Sequence, residues 1–333
     1  MESDRGVRRV ITYGEALRSA FDYLLTNYKE VFVIGQGLWS PWYVGNSMTD
    51  LDKKFGVERV IDTPVSESAC TGAAIGASLC GMRPIVVHPR MDFMLYAMDP
   101  IVNQAAKWSH MMGGQANPAV TIRSIINRGG EQGAQHSQAL HSWFAHIPGL
   151  RVVMPCSVSD ARDLLIASVL CDDPVVFIDD RWLYETESEL GPVRELDLKV
   201  QHPEVMVDGN EITVVGVGYG SHLAMLAREA LGDRCDLVEV IDSRVLNPFD
   251  VSVITESLKK TGRLLVVDVG TITAGFSAEI IASVIGSVSL DELKSTPKRL
   301  ALPDTPAPTS RVLEAHYYLT VEQVVEAIDQ LLA

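Results

Sequence analysis

The sequence predicts an α/β protein built from two doubly wound domains. Short apolar runs of strand length alternate with stretches of helical periodicity; the alternation stops at a charged, aperiodic segment over residues 185–209 and then resumes. Strands that alternate with helices form mostly parallel sheets covered on both faces. A chain of 333 residues is also too long for one ordinary core. We therefore expect an N-terminal domain over 1–185, a linker over 186–209 and a C-terminal domain over 210–333.

The first half of the chain supplies the first alternation. Residues 14–27 place Leu17, Phe21 and Leu24 on one helical face, and the apolar run 31–34 that follows is typical of a buried strand. The same criteria predict strands at 84–87, 119–126, 151–154 and 174–178, and helices at 95–110 and 159–170.

The second half repeats the pattern. Residues 207–210, with the sequence VDGN, are typical of a hairpin turn. Three prolines within 301–310 exclude a continuous helix there, so we expect an extended arm before the last helix. Strands are predicted at 212–217, 237–241 and 264–267, and helices at 223–231, 251–260, 278–285 and 321–332.

Bulk composition excludes several classes of protein. The net charge of −15 would repel a phosphate backbone, and no apolar run approaches the roughly 20 residues that cross a bilayer, so we expect neither nucleic-acid nor membrane binding. The five cysteines show no C-x-x-C spacing, which argues against a disulfide framework and a zinc site. The N-terminal sequence lacks the apolar core of a secretion signal, which indicates a cytoplasmic protein.

Glu67 stands at an informative position. It ends the sequence DTPVSE (62–67) and opens a helical stretch rich in Gly, Ala and Ser, whose small side chains let neighbouring backbones approach closely. A glutamate in the first turn of a helix can simply interact with the helix dipole at the surface. If it is shielded from water, its carboxylate needs a partner.

A series of motifs, taken in order, resembles one known family. They are similar to the β subunit of pyruvate and branched-chain 2-oxo acid dehydrogenases, including the acetoin type, and to the pyrimidine-binding half of transketolases. The resemblance covers nearly the whole chain. The motifs are DTPVSE (62–67), RPI (83–85), DF (92–93), IVNQAAK (101–107), QHSQ (135–138), PGLRVVMP (148–155), VEVIDSRVLNPFD (238–250), KKTGRLLVVD (259–268) and AGFSAEI (274–280).

The resemblance implies a thiamin-diphosphate enzyme, with a pyrimidine-binding domain followed by a transketolase C-terminal-like domain. Glu67 would hydrogen-bond a ring nitrogen of the cofactor's aminopyrimidine, since a carboxyl group shielded from water has a raised proton affinity. Phe93 would stack on the pyrimidine, although by default it is a core residue. His136 would be the active-site histidine that orients substrate or handles protons, although by default it is a surface residue. His146 also has a counterpart in the family, and we interpret it as structural.

The resemblance also implies metals and partners. Relatives hold Mg²⁺ on the cofactor's diphosphate through G-D-G followed by an asparagine, and this sequence lacks that pattern. We therefore expect an α subunit that carries the diphosphate and Mg²⁺, in an assembly of two α and two β chains. A dehydrogenase complex would add a lipoyl acyltransferase core. Family members can also bind K⁺ in a loop that would here include Ser168 to Asp173.

Three stretches depart from the family. Gln36 replaces the usual acidic residue near the pyrimidine and would keep a hydrogen bond to the cofactor without the charge. The aromatic-rich stretch Leu38–Tyr43 would line a substrate channel or pack against the α subunit, and we favour packing. Arg90, just ahead of Phe93, would bind a carboxylate or phosphate group of the substrate.

The leading hypothesis is the β subunit of an enzyme that decarboxylates a 2-oxo acid and transfers the acyl unit. A transketolase-like subunit that passes a two-carbon unit to an aldehyde or a sugar ketone is the first alternative. The second is a structural β chain that has kept the fold and lost the chemistry. A generic nucleotide-binding protein is disfavoured, because residues 35–40 do not complete a G-x-G-x-x-G loop.

Overall fold

The structure, a computed structural model, describes residues 9–333. It divides into two compact units. The N-terminal unit comprises the described residues up to Asn127 together with Phe144–Gln201, and the C-terminal unit comprises Arg128–Trp143 and His202–Ala333. The segment 128–143 thus groups with the C-terminal unit, although the sequence analysis includes it in the N-terminal domain.

The N-terminal unit is built on a parallel sheet. Its strands are β1 (Arg9–Thr12), β2 (Val31–Gln36), β3 (Val60–Thr63), β4 (Arg83–His88), β5 (Thr121–Ile126), β6 (Arg151–Val153), β7 (Val175–Asp180) and β8 (Glu187–Leu190). Six of them lie parallel in the order β6-β7-β5-β4-β2-β3, while β1 pairs antiparallel with β8. Every residue of β5 and β7 is buried, so both faces of the sheet are covered at its centre.

Eight α-helices of the described chain lie among these strands, and the first begins at a capping box. Thr12 caps the first helix: its hydroxyl accepts from the backbone N–H of Glu15, whose carboxylate accepts from the backbone N–H of Thr12. The helices are α1 (Tyr13–Asn27), α2 (Pro41–Val44), α3 (Leu51–Phe55), α4 (Glu67–Leu79), α5 (Met91–Met94), α6 (Ala106–Met111), α7 (His141–Ala145) and α8 (Val158–Leu170).

One predicted helix is not continuous. Residues 95–110 form a 3₁₀ turn over Leu95–Ala97, a π-helix over Asp99–Ala105 and then α6. Pro100 has no backbone N–H to donate within the helix, which disfavours regular α-helical hydrogen bonding at this point.

The C-terminal unit contains a second, mostly parallel sheet. The strands of the unit are β9 (Glu204–Val207), β10 (Ile212–Val217), β11 (Val238–Asp242), β12 (Val245–Asn247), β13 (Leu264–Thr271) and β14 (Lys298–Leu302). Five of them lie in the order β14-β13-β10-β11-β9, with β9 antiparallel to β11. The hairpin predicted at residues 207–210 is therefore wrong, because β9 pairs with β11 and not with the strand that follows it in sequence.

The helices of this unit complete the doubly wound arrangement, and the predicted α/β fold class is confirmed. Strand β10 and the last helix form at the predicted residues, and Val324 and Ile328 of that helix are fully buried in the core of the unit. In the described part of the chain, no helix is long and apolar enough to span a membrane. The helices are α9 (Tyr219–Ala230), α10 (Ser252–Thr261), α11 (Phe276–Ile285), α12 (Arg311–Glu314) and α13 (Val321–Leu332).

Candidate active site

The carboxyl edge of the N-terminal sheet gathers four of the predicted site residues. Gln36 ends β2 and pairs with Thr63, the last residue of β3, while Gly35 pairs with Val87 of β4. Glu67 follows β3 by four residues, and Arg90 and Phe93 follow β4. In open α/β sheets, ligands bind outside the carboxyl ends of the strands. This edge is therefore the candidate site of the N-terminal unit.

Glu67 lies at the first position of α4 and is half-buried. The preceding residue, Ser66, gives no side-chain cap to the helix, so the positive end of the helix dipole favours the Glu67 carboxylate. Within residues 9–333 that carboxylate accepts no hydrogen bond from another group. The Glu67 carboxylate can therefore form a hydrogen bond with a ligand at the carboxyl edge.

Phe93 and Gln36 are also half-buried at this edge. On the short helix α5, Met91 and Met94 are fully buried, whereas the ring of Phe93 keeps part of its surface open. A flat apolar ring, an amide and a carboxylate are the groups that a heterocycle with ring nitrogens would use. The residues present at the edge therefore fit an aminopyrimidine.

His88 is the last residue of β4, Arg90 follows it by two residues, and the two side chains differ in charge. His88 is buried, its Nε2 lies 3.3 Å from Oγ1 of Thr71, and burial lowers the pKa of its imidazole to about 4. His88 is therefore neutral near pH 7. Burial, and then the charge of Arg181, lower the pKa of the Arg90 guanidinium. Among the described residues, no group accepts from the buried Nη1 of Arg90.

The aromatic-rich stretch 38–43 borders the same edge and is only partly packed. The backbone N–H of Leu38 donates to Asp62 over 3.1 Å, and Nε1 of Trp39 donates to the carbonyl of Val60 over 3.0 Å. Arg181 donates to the carbonyl of Tyr43 over 3.0 Å. Trp42 is nevertheless 76% exposed, so this stretch presents aromatic surface outside the core of its unit.

His136 lies in the C-terminal unit, on the segment 128–143, and is half-buried. The two residues predicted to be catalytic, Glu67 and His136, therefore belong to different units. His146 is exposed, whereas His141, for which no role was predicted, is fully buried. Its Nε2 lies 2.9 Å from Oδ1 of Asp268, within β13. No single-sequence pattern joins residues 127 positions apart, so the sequence analysis missed this pair.

The K⁺ site expected at residues 168–173 stays a prediction, and several oxygens there already accept from arginine side chains. Residues 168–170 end α8 and 171–173 follow it. The carbonyls of Val169 and Cys171 accept from Nη1 of Arg83 over 3.0 and 3.1 Å, and Asp172 accepts from its Nη2 over 2.6 Å. The Asp173 carboxylate accepts from Arg151 over 2.7 Å. Two guanidinium groups thus supply the positive charge at these oxygens and would repel another cation.

For Mg²⁺, no cluster of three or more His, Cys, Asp or Glu side chains that could hold a metal occurs among residues 9–333. The place of the diphosphate metal stays a prediction.

Comparison with known proteins matches both units to one family. The model of the transketolase pyrimidine-binding domain matches residues 9–186, and that of the transketolase C-terminal domain matches residues 202–324. A solved structure described as a split-gene transketolase in an inactive β4 tetramer superposes with a TM-score of 0.73 at 20% identity, covering 97% of this chain and 98% of its own. At that identity the superposition supports the fold alone.

Several characterised relatives extend along almost the full chain. The β subunits of acetoin:2,6-dichlorophenolindophenol oxidoreductase from Bacillus subtilis and Cupriavidus necator are 33% and 36% identical, over 97% and 94% of this chain and 98% and 94% of their own lengths. The pyruvate dehydrogenase E1 β-1 subunit of Arabidopsis thaliana is 35% identical over 95% of this chain and 88% of its own length. The chain therefore belongs to the transketolase-like family of thiamin-diphosphate enzymes, within the group of the E1 and acetoin-oxidoreductase β subunits.

Proposed function

We propose that this chain is the β subunit of a thiamin-diphosphate enzyme that decarboxylates a 2-oxo acid and transfers the acyl unit, and that it acts only with an α subunit. The observation that carries the proposal is the Glu67 carboxylate, which stands at a helix N-terminus on the carboxyl edge and has no hydrogen-bond partner among residues 9–333. When bound, thiamin diphosphate supplies a carbanion that attacks a carbonyl and an electron sink for carbon–carbon cleavage.

In this proposal the residues of the chain bind and move protons around the cofactor's pyrimidine. Glu67 shares a proton with a ring nitrogen once a partner shields it from water, Phe93 stacks on the ring and Gln36 hydrogen-bonds to it. His136 orients the substrate or handles protons during transfer. The chain holds neither the diphosphate nor Mg²⁺, which fall to the α subunit.

Exposed apolar residues near the carboxyl edge support a partner chain. Val65 is 67% exposed two residues before Glu67, Tyr96 is 73% exposed three residues after Phe93, and Trp42 is exposed on the neighbouring stretch. Large apolar side chains grouped on a surface are typical of a protein interface. We propose that the α subunit covers them in an assembly of two α and two β chains, located in the cytoplasm, with a lipoyl acyltransferase as a further partner.

Acetoin cleavage is the second candidate activity, because relatives named for acetoin match this chain as closely as those named for pyruvate. A transketolase-like transfer to an aldehyde or a sugar ketone is the third, supported by the two domain models. In each case Glu67 has the same role, and the candidates differ in the bond that is broken and in the acceptor of the transferred unit.

The test is to combine the purified chain with its α subunit, thiamin diphosphate and Mg²⁺, and to supply substrates of each class. Dichlorophenolindophenol serves as the electron acceptor. We expect carbon dioxide release with dye reduction from a 2-oxo acid such as pyruvate. Acetaldehyde release from acetoin would favour the second candidate, and ketose cleavage without dye the third. No turnover of any substrate would contradict all three and leave the structural β chain.

Arg90 is proposed to bind an anionic group of the substrate. No group in the described part of the chain accepts from its Nη1, and hydrogen bonds to charged groups contribute about 1.5–3 kcal/mol. We therefore expect Arg90→Ala to raise KM for an anionic 2-oxo acid by about tenfold or more in steady-state kinetics. Acetoin, which is neutral, provides the control, since its KM should not change. An unchanged KM for the anionic substrate would remove Arg90 from the site.

A further inference from the structure

The segment 128–143 departs from ordinary backbone geometry near its start. Glu131 has φ of 61°, in the left-handed region that non-glycine residues seldom adopt, and Gly129, Gly130 and Gly133 are also left-handed. Such a conformation at a non-glycine residue costs free energy and persists only where surrounding contacts enforce it. Neighbouring groups must therefore hold Glu131 in this conformation.

Helix α12 supplies them. The backbone N–H of Glu131 donates to both carboxylate oxygens of Glu314, over 3.1 and 3.0 Å, and the Glu131 carboxylate lies 3.3 Å from Nη2 of Arg311. The backbone N–H of Gly129 also donates to the hydroxyl of Tyr318 over 3.3 Å. The start of the segment is thus attached to the chain just ahead of the last helix.

The end of the segment is attached to the sheet. Asp268 of β13 is fully buried and accepts from His141 over 2.9 Å and from the backbone N–H groups of Gly270 and Ser277 over 2.9 and 2.8 Å. Burial acts to raise the pKa of the Asp268 carboxyl, but His141 and these N–H groups hold the pKa below its ordinary value. Asp268 is therefore ionised near pH 7, and its carboxylate is the group that holds His141 in place.

His136 lies midway between the two attachments, five residues from Glu131 and five from His141. We infer that Asp268, acting through His141, is a positioning residue that together with Glu314 fixes the place of the His136 imidazole for the reaction. The inference rests on the proposed function, in which His136 acts on substrate, and it gives the C-terminal unit a direct part in the chemistry. Because the segment that carries His136 is attached on both sides of it, the histidine loses little conformational entropy when the substrate binds.

The first experiment needs no partner and no cofactor. Hydrogen exchange followed by mass spectrometry compares the full wild-type chain with Asp268→Asn, and we expect exchange across residues 128–143 to become at least tenfold faster. The matched control is Asp242→Asn, which alters a buried carboxylate at the end of β11, a strand of the same sheet that β10 separates from β13. Asp242 accepts from Ser221 and lies outside the segment. Unchanged protection of 128–143 in Asp268→Asn, or equal loss in both variants, would overturn the inference.

The second experiment uses the enzyme reconstituted with its α subunit. We expect Asp268→Asn and His141→Ala to lower kcat by about tenfold or more and to change KM less than threefold. His141→Gln, whose amide N–H can still donate to Asp268, should recover most of kcat, which a general loss of stability would not allow. Full kcat in Asp268→Asn despite faster exchange would refute the positioning role. An inactive wild-type enzyme would refute the proposed function instead, and the exchange comparison would still decide whether Asp268 anchors the segment.

Discussion

Glu67→Gln is expected to lower kcat of the reconstituted enzyme by roughly 10²–10⁴-fold, the range that positioned acid–base groups contribute. Glutamine has the same size and can still accept a hydrogen bond, but it cannot share a proton with a ring nitrogen. The free energy of unfolding of the variant should change by less than about 1 kcal/mol. Within the described residues the wild-type carboxylate makes no hydrogen bond, so the substitution removes only its interaction with the helix dipole. Steady-state kinetics with the α subunit and thiamin diphosphate measures the loss.

Glu322→Gln is the matched control for this experiment. Glu322 is also an acidic residue in the first turn of a helix, α13, but it is exposed and lies in the C-terminal unit. The Glu322→Gln substitution removes the same kind of helix-dipole interaction but leaves the carboxyl edge unchanged, so kcat should stay within about twofold. If Glu67→Gln retained wild-type turnover while the assembly remained intact, Glu67 would have no part in the chemistry, and the proposed function would lose the observation on which it rests.

Local periodicity predicted most of the fold, and it failed where pairing partners are distant in sequence. The runs at 212–217 and 321–332 form a strand and a helix at the predicted residues, because their apolar pattern is complete within the element. Strand β3 was missed, since VIDT has two apolar residues and is mostly half-buried. Strand β1 pairs with β8 across about 180 residues, and β9 with β11 around an intervening strand. Neither pairing has a local signal.

The candidate site divides along the same line. Gln36 ends a strand, and Glu67 and Arg90 each follow one, so parallel pairing alone was enough to bring them to one edge. The role proposed for Asp268 depends on a histidine 127 residues away, and the hydrogen bonds to the carbonyls of Val169 and Cys171 depend on Arg83 of β4. Both are side-chain contacts between elements that the topology brings together, and a single sequence carries no pattern for them.

A buried ion pair beneath the carboxyl edge gives the largest expected effect on stability. Arg123 of β5 and Asp179 of β7 are both fully buried; Nε and Nη2 of Arg123 donate to the two carboxylate oxygens over 2.8 and 2.9 Å. Nη2 also donates to Ser47 and Tyr184, and the Tyr184 hydroxyl donates to Asp179 over 2.6 Å. Burial acts to lower the pKa of the Arg123 guanidinium, but Asp179 and Tyr184 more than offset it and raise the pKa.

Asp179→Asn should therefore reduce the free energy of unfolding of the N-terminal unit by about 3–5 kcal/mol, because the guanidinium stays buried without its counter-charge. Urea denaturation followed by tryptophan fluorescence measures it, since four of the five tryptophans lie in this unit. Asp172→Asn breaks a pair whose carboxylate is 64% exposed and should cost less than about 1 kcal/mol. Arg123→Met combined with Asp179→Leu should cost less than the sum of the single changes, because no charge is left buried. Additive losses would mean that the two side chains stabilise the unit independently, through Ser47 and Tyr184, and not as a pair.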